Sequence, residues 1–193
     1  MIDNINIFEK YIKNISTEDN KFINISIIKR NKDTNNGNGI IKTYYITSYD
    51  SFLKVKEDII NICNATKSRA YIIISPKSYD KLIKEVNLVI AMRMQSNNSF
   101  KLNRIVDSAA SNINGDFKYF ILDIDYNVDN QSKDEYNNVL KYIKDNNYKI
   151  YEEYVPTQNG IHIITEPFNI DEFKKIFPNI EIKRNWYSLL YKY

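Results

Sequence analysis

The chain has 193 residues, 43% of them hydrophobic and 26% charged, with a formal net charge of +3 and a sequence pI near 8.7. That length is enough for one substantial core, the mild charge excludes a strong global pull on nucleic acid, and no apolar run approaches the ~20 residues that a bilayer span needs. One cysteine and one histidine exclude an internal disulfide and a Cys/His zinc cluster.

Met1–Lys10 lacks the basic stretch, apolar core and small-residue cleavage site of a secretory leader, so a cytoplasmic protein with no membrane partner is expected. Ile5, Phe8, Ile12 and Ile15 recur at helical spacing, and Phe22 to Ile28 alternates in the manner of a strand. The polar stretch Asn31 to Gly39 then reads as a turn, and Ile40 to Thr47 resumes strand character, which makes residues 22–47 a hairpin. Ser48 is placed as the N-cap of a helix through about Ala65, with Phe52, Val55, Ile59, Ile62 and Cys63 on its apolar side. Cys63 reads as a buried, inert thiol, since no helix start or basic partner stands near enough in sequence to activate it.

Arg69 to Ser75 is a short, dense apolar strand stopped by Pro76. Lys77 to Gln95, with Tyr79, Leu82, Ile83, Val86, Val89 and Ile90, has the clearest amphipathic helical pattern of the chain. Leu102 to Ile113 fits a helix or a mixed loop. Asn114-Gly115-Asp116 is a turn leading into an apolar strand, Phe117 to Ile124. Ser132 to Asn146 is helical, Tyr148 to Val155 a strand, Pro156 to Gly160 a tight turn and Ile161 to Thr165 the return strand of a hairpin. A short helix from Asp171 to Phe177 ends at Pro178, and Ile180 to Tyr191 supplies one or two final strands. The expected class is α+β: a split βαβ, palm-like sheet with helices on one face and an N-terminal α/β extension. A single domain is expected, with residues 1–47 as a helix and hairpin, 48–116 as an N-terminal α/β half and 117–193 as the palm-like half.

Two motifs carry chemistry. Asp123 and Asp125 are two residues apart on one strand and so share a face, where their repulsion must be offset by a cation or by hydrogen bonds. Hard cations take oxygen ligands and leave positions open for phosphates, which makes magnesium or manganese the expected cofactor. The following residues, Asp125-Tyr126-Asn127-Val128-Asp129, alternate oxygen donors but lack the glycine and closing glutamate of a calcium loop. The second motif is Thr157-Gln158-Asn159-Gly160-Ile161-His162, where a polar turn brings backbone N–H groups within reach of a phosphate and the imidazole donates beside them. Asn159, Gly160 and His162 are therefore phosphate-binding candidates, and nucleotide-binding ones where the phosphate is a nucleotide's.

An apolar strand with Asp-x-Asp, an intervening helix, and then small-polar-Gly-x-His on a second strand resembles the archaeo-eukaryotic primase superfamily, including phage and plasmid primase-polymerases. The resemblance covers residues 117–165 directly. It implies that Asp123 and Asp125 ligate metal, that His162 contacts the phosphates of an incoming nucleotide, and that a DNA or RNA template is a partner. The family's third carboxylate, from a later strand, has no aspartate counterpart here: Glu181 is the only acid in that stretch, and Asn185 is a weaker oxygen donor. A catalytically degenerate module that binds nucleotide, nucleic acid or protein is the alternative the missing aspartate favours. From charge alone, Arg93 and Arg104 (with Lys101), and Lys183 and Arg184 (with Lys174 and Lys175), are candidates for phosphate contacts, although solvated faces are the commoner use of such groups. Trp186, Tyr187, Tyr44, Tyr45 and Tyr71 are candidates for stacking on bases, core packing being the ordinary role of each.

Overall fold

The computed structural model describes residues 1–31, 39–95, 102–125 and 131–193. The expected turn at 32–38, the polar stretch 96–99 with Lys101, and the acidic loop 126–130 lie outside the described residues. Six α-helices and two antiparallel sheets make up the described part.

The first sheet is built from β1 (Ile2–Asp3), β2 (Lys21–Lys29), β3 (Gly39–Ile46), β4 (Arg69–Ile72), β5 (Lys77–Ser78) and, from the far end of the chain, β10 (Ser188–Lys192). Its order is β1-β10-β4-β2-β3, with β5 pairing to β2. The 22–47 hairpin forms with Ile23 opposite Ile46 and Ile25 opposite Tyr44. One face is apolar because Ile23, Ile25, Ile27, Ala70 and Ile72 alternate inward. Against it pack α1 (Ile5–Lys13), through Ile5, Phe8 and Ile12, and α2 (Tyr49–Thr66), through Phe52, Ile59 and Cys63. Each fully buried side chain of this kind contributes about 1.5–3 kcal/mol.

Ser48 caps α2 as the sequence indicates: its hydroxyl accepts from the Ser51 N–H, while the Ser51 hydroxyl accepts from the Ser48 N–H. Burial pushes the Cys63 thiol up to about 11, so it is inert at neutral pH.

The helix expected from Lys77 begins instead at Tyr79, because Lys77 and Ser78 pair with Phe22 and Lys21 as β5. This helix, α3 (Tyr79–Gln95), lies beside α4 (Leu102–Asn112), which settles the open 102–113 segment as helix. Only Leu82 of α3 is buried, and Ile83 is exposed. The strong apolar pattern overstates its burial because α3 reaches only the small cluster of Phe22, Leu82, Ala109 and Ala110.

The second sheet comprises β6 (Phe120–Asp125), β7 (Ile150–Pro156), β8 (Gly160–Thr165) and β9 (Glu181–Arg184), in the order β7-β8-β6-β9. Helix α5 (Gln131–Asp145) joins β6 to β7, and α6 (Ile170–Ile176) joins β8 to β9. Since β8 is antiparallel to both β6 and β7, those two strands run parallel with β8 between them. Leu122, Ile124 and Ile163 face Val139 and Ile143 of α5 and Phe173 of α6. Ile121 and Ile164, on the other face, join the core of the first sheet. The stretch 180–191 thus forms two strands that belong to different sheets. Residues 117–193 are not a self-contained half, because β10 pairs with β4 and β1.

Candidate functional site

A cleft of about 750 Å3 opens where the polar face of the second sheet meets the outer face of the first. The second sheet supplies a row of register partners: Asp123 on β6 faces His162 on β8 and Glu181 on β9. Asp125 is one step further along the same face, opposite Gly160. Strand alternation places both aspartates in the cleft while Leu122 and Ile124 bury beneath them.

Asp123 is mostly buried, and both of its oxygens are engaged. His162 Nε2 lies 3.3 Å from Oδ1, and the Lys183 ammonium is hydrogen-bonded to Oδ2. Burial alone would raise the Asp123 carboxyl, but His162 and then Lys183 outweigh it and hold the group down at about 2. Lys183 also reaches Glu181, at 3.4 Å, so one ammonium stands between two carboxylates. Burial pulls the Lys183 ammonium down, yet its pairing with Asp123 wins and its pKa is raised. His162 is 7% exposed, and among the described residues its Nδ1 has no hydrogen-bond partner.

Hard-oxygen donors for a divalent cation are therefore present on one face, in Asp123, Glu181 and Asp125, with the Lys183 ammonium already seated between the first two. Among the described residues, no three His, Cys, Asp or Glu side chains converge as a ready-made metal cage.

Gly160 has a role other than the expected one. A Cβ there would fall on the Ile124 carbonyl oxygen and 2.8 Å from Asp125 Cα, so the glycine permits β8 to close against β6 beside the acidic pair. The turn before it is closed by the Thr157 N–H donating to the Gly160 carbonyl at 2.9 Å, and Thr157, Gln158 and Asn159 line the cleft.

The structure brings together Asp123, Asp125, His162, Asn159, Glu181, Lys183 and Arg184. Arg93 and Arg104 lie on the α3–α4 pair and do not line the cleft. Asn185 is structural: in a left-handed conformation at φ 48°, it accepts from the Tyr119 N–H through Oδ1 at 2.9 Å and shapes the β9–β10 turn. Of the aromatic candidates, Trp186, Tyr187 and Tyr71 line the cleft. Tyr44 and Tyr45 instead donate to Asp58 and Asp107.

Sequence reasoning passed over the opposite wall. Arg30 and Arg69 enter from the first sheet, Arg30 donating to the Tyr71 hydroxyl at 3.3 Å and Arg69 to Gln158 Oε1 at 2.5 Å. The one local signal was an arginine opening an otherwise apolar strand. Four basic side chains, three acids, an imidazole and a 56% exposed indole thus share one cleft. Such a set suits a ligand with several phosphates and a planar base, the cations meeting the charge and the ring offering a stacking face. No family model, no curated protein and no solved structure matches this chain.

Proposed function

We propose that this chain is a primase-polymerase-like core of the archaeo-eukaryotic type, a nucleotidyltransferase whose cleft takes a nucleoside triphosphate and a DNA or RNA strand. The observation that carries the reading is the register row His162–Asp123–Glu181, with Asp125 beside it, opening onto a cleft lined by Arg30, Arg69, Lys183 and Arg184. The order β7-β8-β6-β9, with α5 and α6 on one face, supports a split βαβ palm.

In this reading Asp123, Asp125 and Glu181 would hold magnesium or manganese, whose charge would offset that on the phosphates. His162, fixed by Asp123, orients the phosphates; the arginines neutralise them from the first sheet; and Trp186 offers its exposed ring to a base. The test is incorporation of labelled nucleotide on primed and unprimed templates with manganese. Activity in the wild type, lost in Asp123→Ala, supports the enzyme.

A second reading rests on the Lys183–Asp123 pair, which places an organic cation against the first carboxylate. A binding module built on the same cleft retains nucleotide or single-stranded nucleic acid without incorporating it. Salt-sensitive binding with no incorporation at any manganese concentration selects this module over the enzyme.

A further inference from the structure

We infer that Lys183 is a tethered counter-cation that competes with a divalent metal for Asp123 and Glu181, so that metal enters well only when the ligand's phosphates draw the lysine away. The inference rests on the proposed nucleotide cleft but is read by a separate measurement.

Both oxygens of Asp123 already carry a partner, so a metal ion approaching either one meets the charge of the seated Lys183 ammonium. His162 is the fixed one, with 7% exposure and a place inside the β8 strand. Lys183 is the movable one. Its side chain is 25% exposed, and an ammonium on a four-carbon stem rotates among acceptors at little cost. Its second partner, Glu181, is 67% exposed and free to follow.

Lys183 therefore does what a bound cation does: it offsets the repulsion of two carboxylates on one sheet face. Two consequences follow from charge alone. Without phosphate, a divalent ion competes with an ammonium already paired with the carboxylates, and binding is weak. With a triphosphate present, the displaced ammonium finds a new anion, so metal and triphosphate bind with positive coupling.

The test is titration of Mn2+ by loss of its free-ion electron paramagnetic resonance signal, with a nonhydrolysable triphosphate analogue absent and then present. Without the analogue, Lys183→Met is expected to bind Mn2+ at least tenfold more tightly than the wild type. The double variant Asp123→Asn/Lys183→Met is expected to lose that gain. With the Mn2+ bound by the analogue alone subtracted through a protein-free titration, addition of the analogue is expected to tighten Mn2+ on the wild type by a larger factor than on Lys183→Met. Equal Mn2+ affinity of wild type and Lys183→Met overturns the inference, as does a gain that survives Asp123→Asn. Lys183→Gln, which keeps much of the stem, takes the place of Lys183→Met should circular dichroism show that variant unfolded. If no triphosphate binds but the Mn2+ gain is present, the nucleotide reading fails while the competition between Lys183 and metal stands.

Discussion

His162 and Asp123 are register partners across β8 and β6, with imidazole Nε2 3.3 Å from the carboxylate. Against the upward push of burial, this imidazole and then Lys183 on the other oxygen hold the Asp123 carboxyl down at about 2, below its ordinary 3.8. A depressed carboxyl stabilises the fold above its unfolded pKa, and that contribution is lost as pH falls through the folded value. Urea unfolding between pH 7 and 2 is expected to show about 2 kcal/mol of Asp123-dependent stability above about pH 5, fading between about pH 4 and 2. The same series on Asp123→Asn isolates it: a wild-type advantage that does not shrink over that interval counts against the ion pair.

Gly160→Ala is expected to destabilise the protein by about 1–3 kcal/mol, because the new Cβ falls on the Ile124 carbonyl and β8 must move away from β6. The movement is at Asp125, so binding in the cleft should weaken as well. Chemical denaturation gives the stability change, and a midpoint equal to wild type would show that the strands tolerate a side chain there.

Arg30 reaches the cleft from the first sheet and donates to the Tyr71 hydroxyl. If it meets a phosphate, Arg30→Gln should lower the slope of log affinity against log salt by about one for a single-stranded oligonucleotide. Fluorescence anisotropy at several salt concentrations measures it. An unchanged slope removes Arg30 from the interface.

Trp186 is the sole tryptophan and stands 56% exposed at the cleft, edge-on to Tyr187 with ring centroids 5.8 Å apart. Nucleotide or single-stranded nucleic acid should quench its fluorescence on stacking. Trp186→Ala should weaken binding by about 1–3 kcal/mol, and intact affinity in that variant would place the base elsewhere.

The second sheet was legible because its signals are local. Alternation in Phe120–Asp125 fixes which face the aspartates share, and the Pro156–Gly160 turn sets the β7–β8 hairpin with His162 opposite Val155, whereas the pairing of His162 with Asp123 comes from the non-local β8–β6 register. The other wall was not legible, since Arg30 and Arg69 enter the cleft through strand pairings and sheet packing that no local pattern encodes. The final segment was legible as one or two strands but not as strands of two sheets, because a turn shaped by Asn185 sends Glu181–Arg184 and Ser188–Lys192 apart. Arg93 and Arg104 show the converse, where clustered charge in sequence carried no information about the cleft. Lys183 was picked out for its charge toward phosphate, whereas its pairing with the acids follows from a register that only the folded sheet reveals.

The placement of β10 between β1 and β4 joins the two ends of the described chain in one sheet. Ile2 pairs with Lys192, so the first sheet is completed by contacts spanning nearly the whole described chain. Closing loops of that length is slow relative to helix or hairpin formation. During synthesis the Arg69–Ile72 strand would wait with one edge bare until residues 188–192 emerge, a template for mispairing with a neighbouring chain. Slow refolding that worsens with protein concentration is the kinetic signature this topology carries.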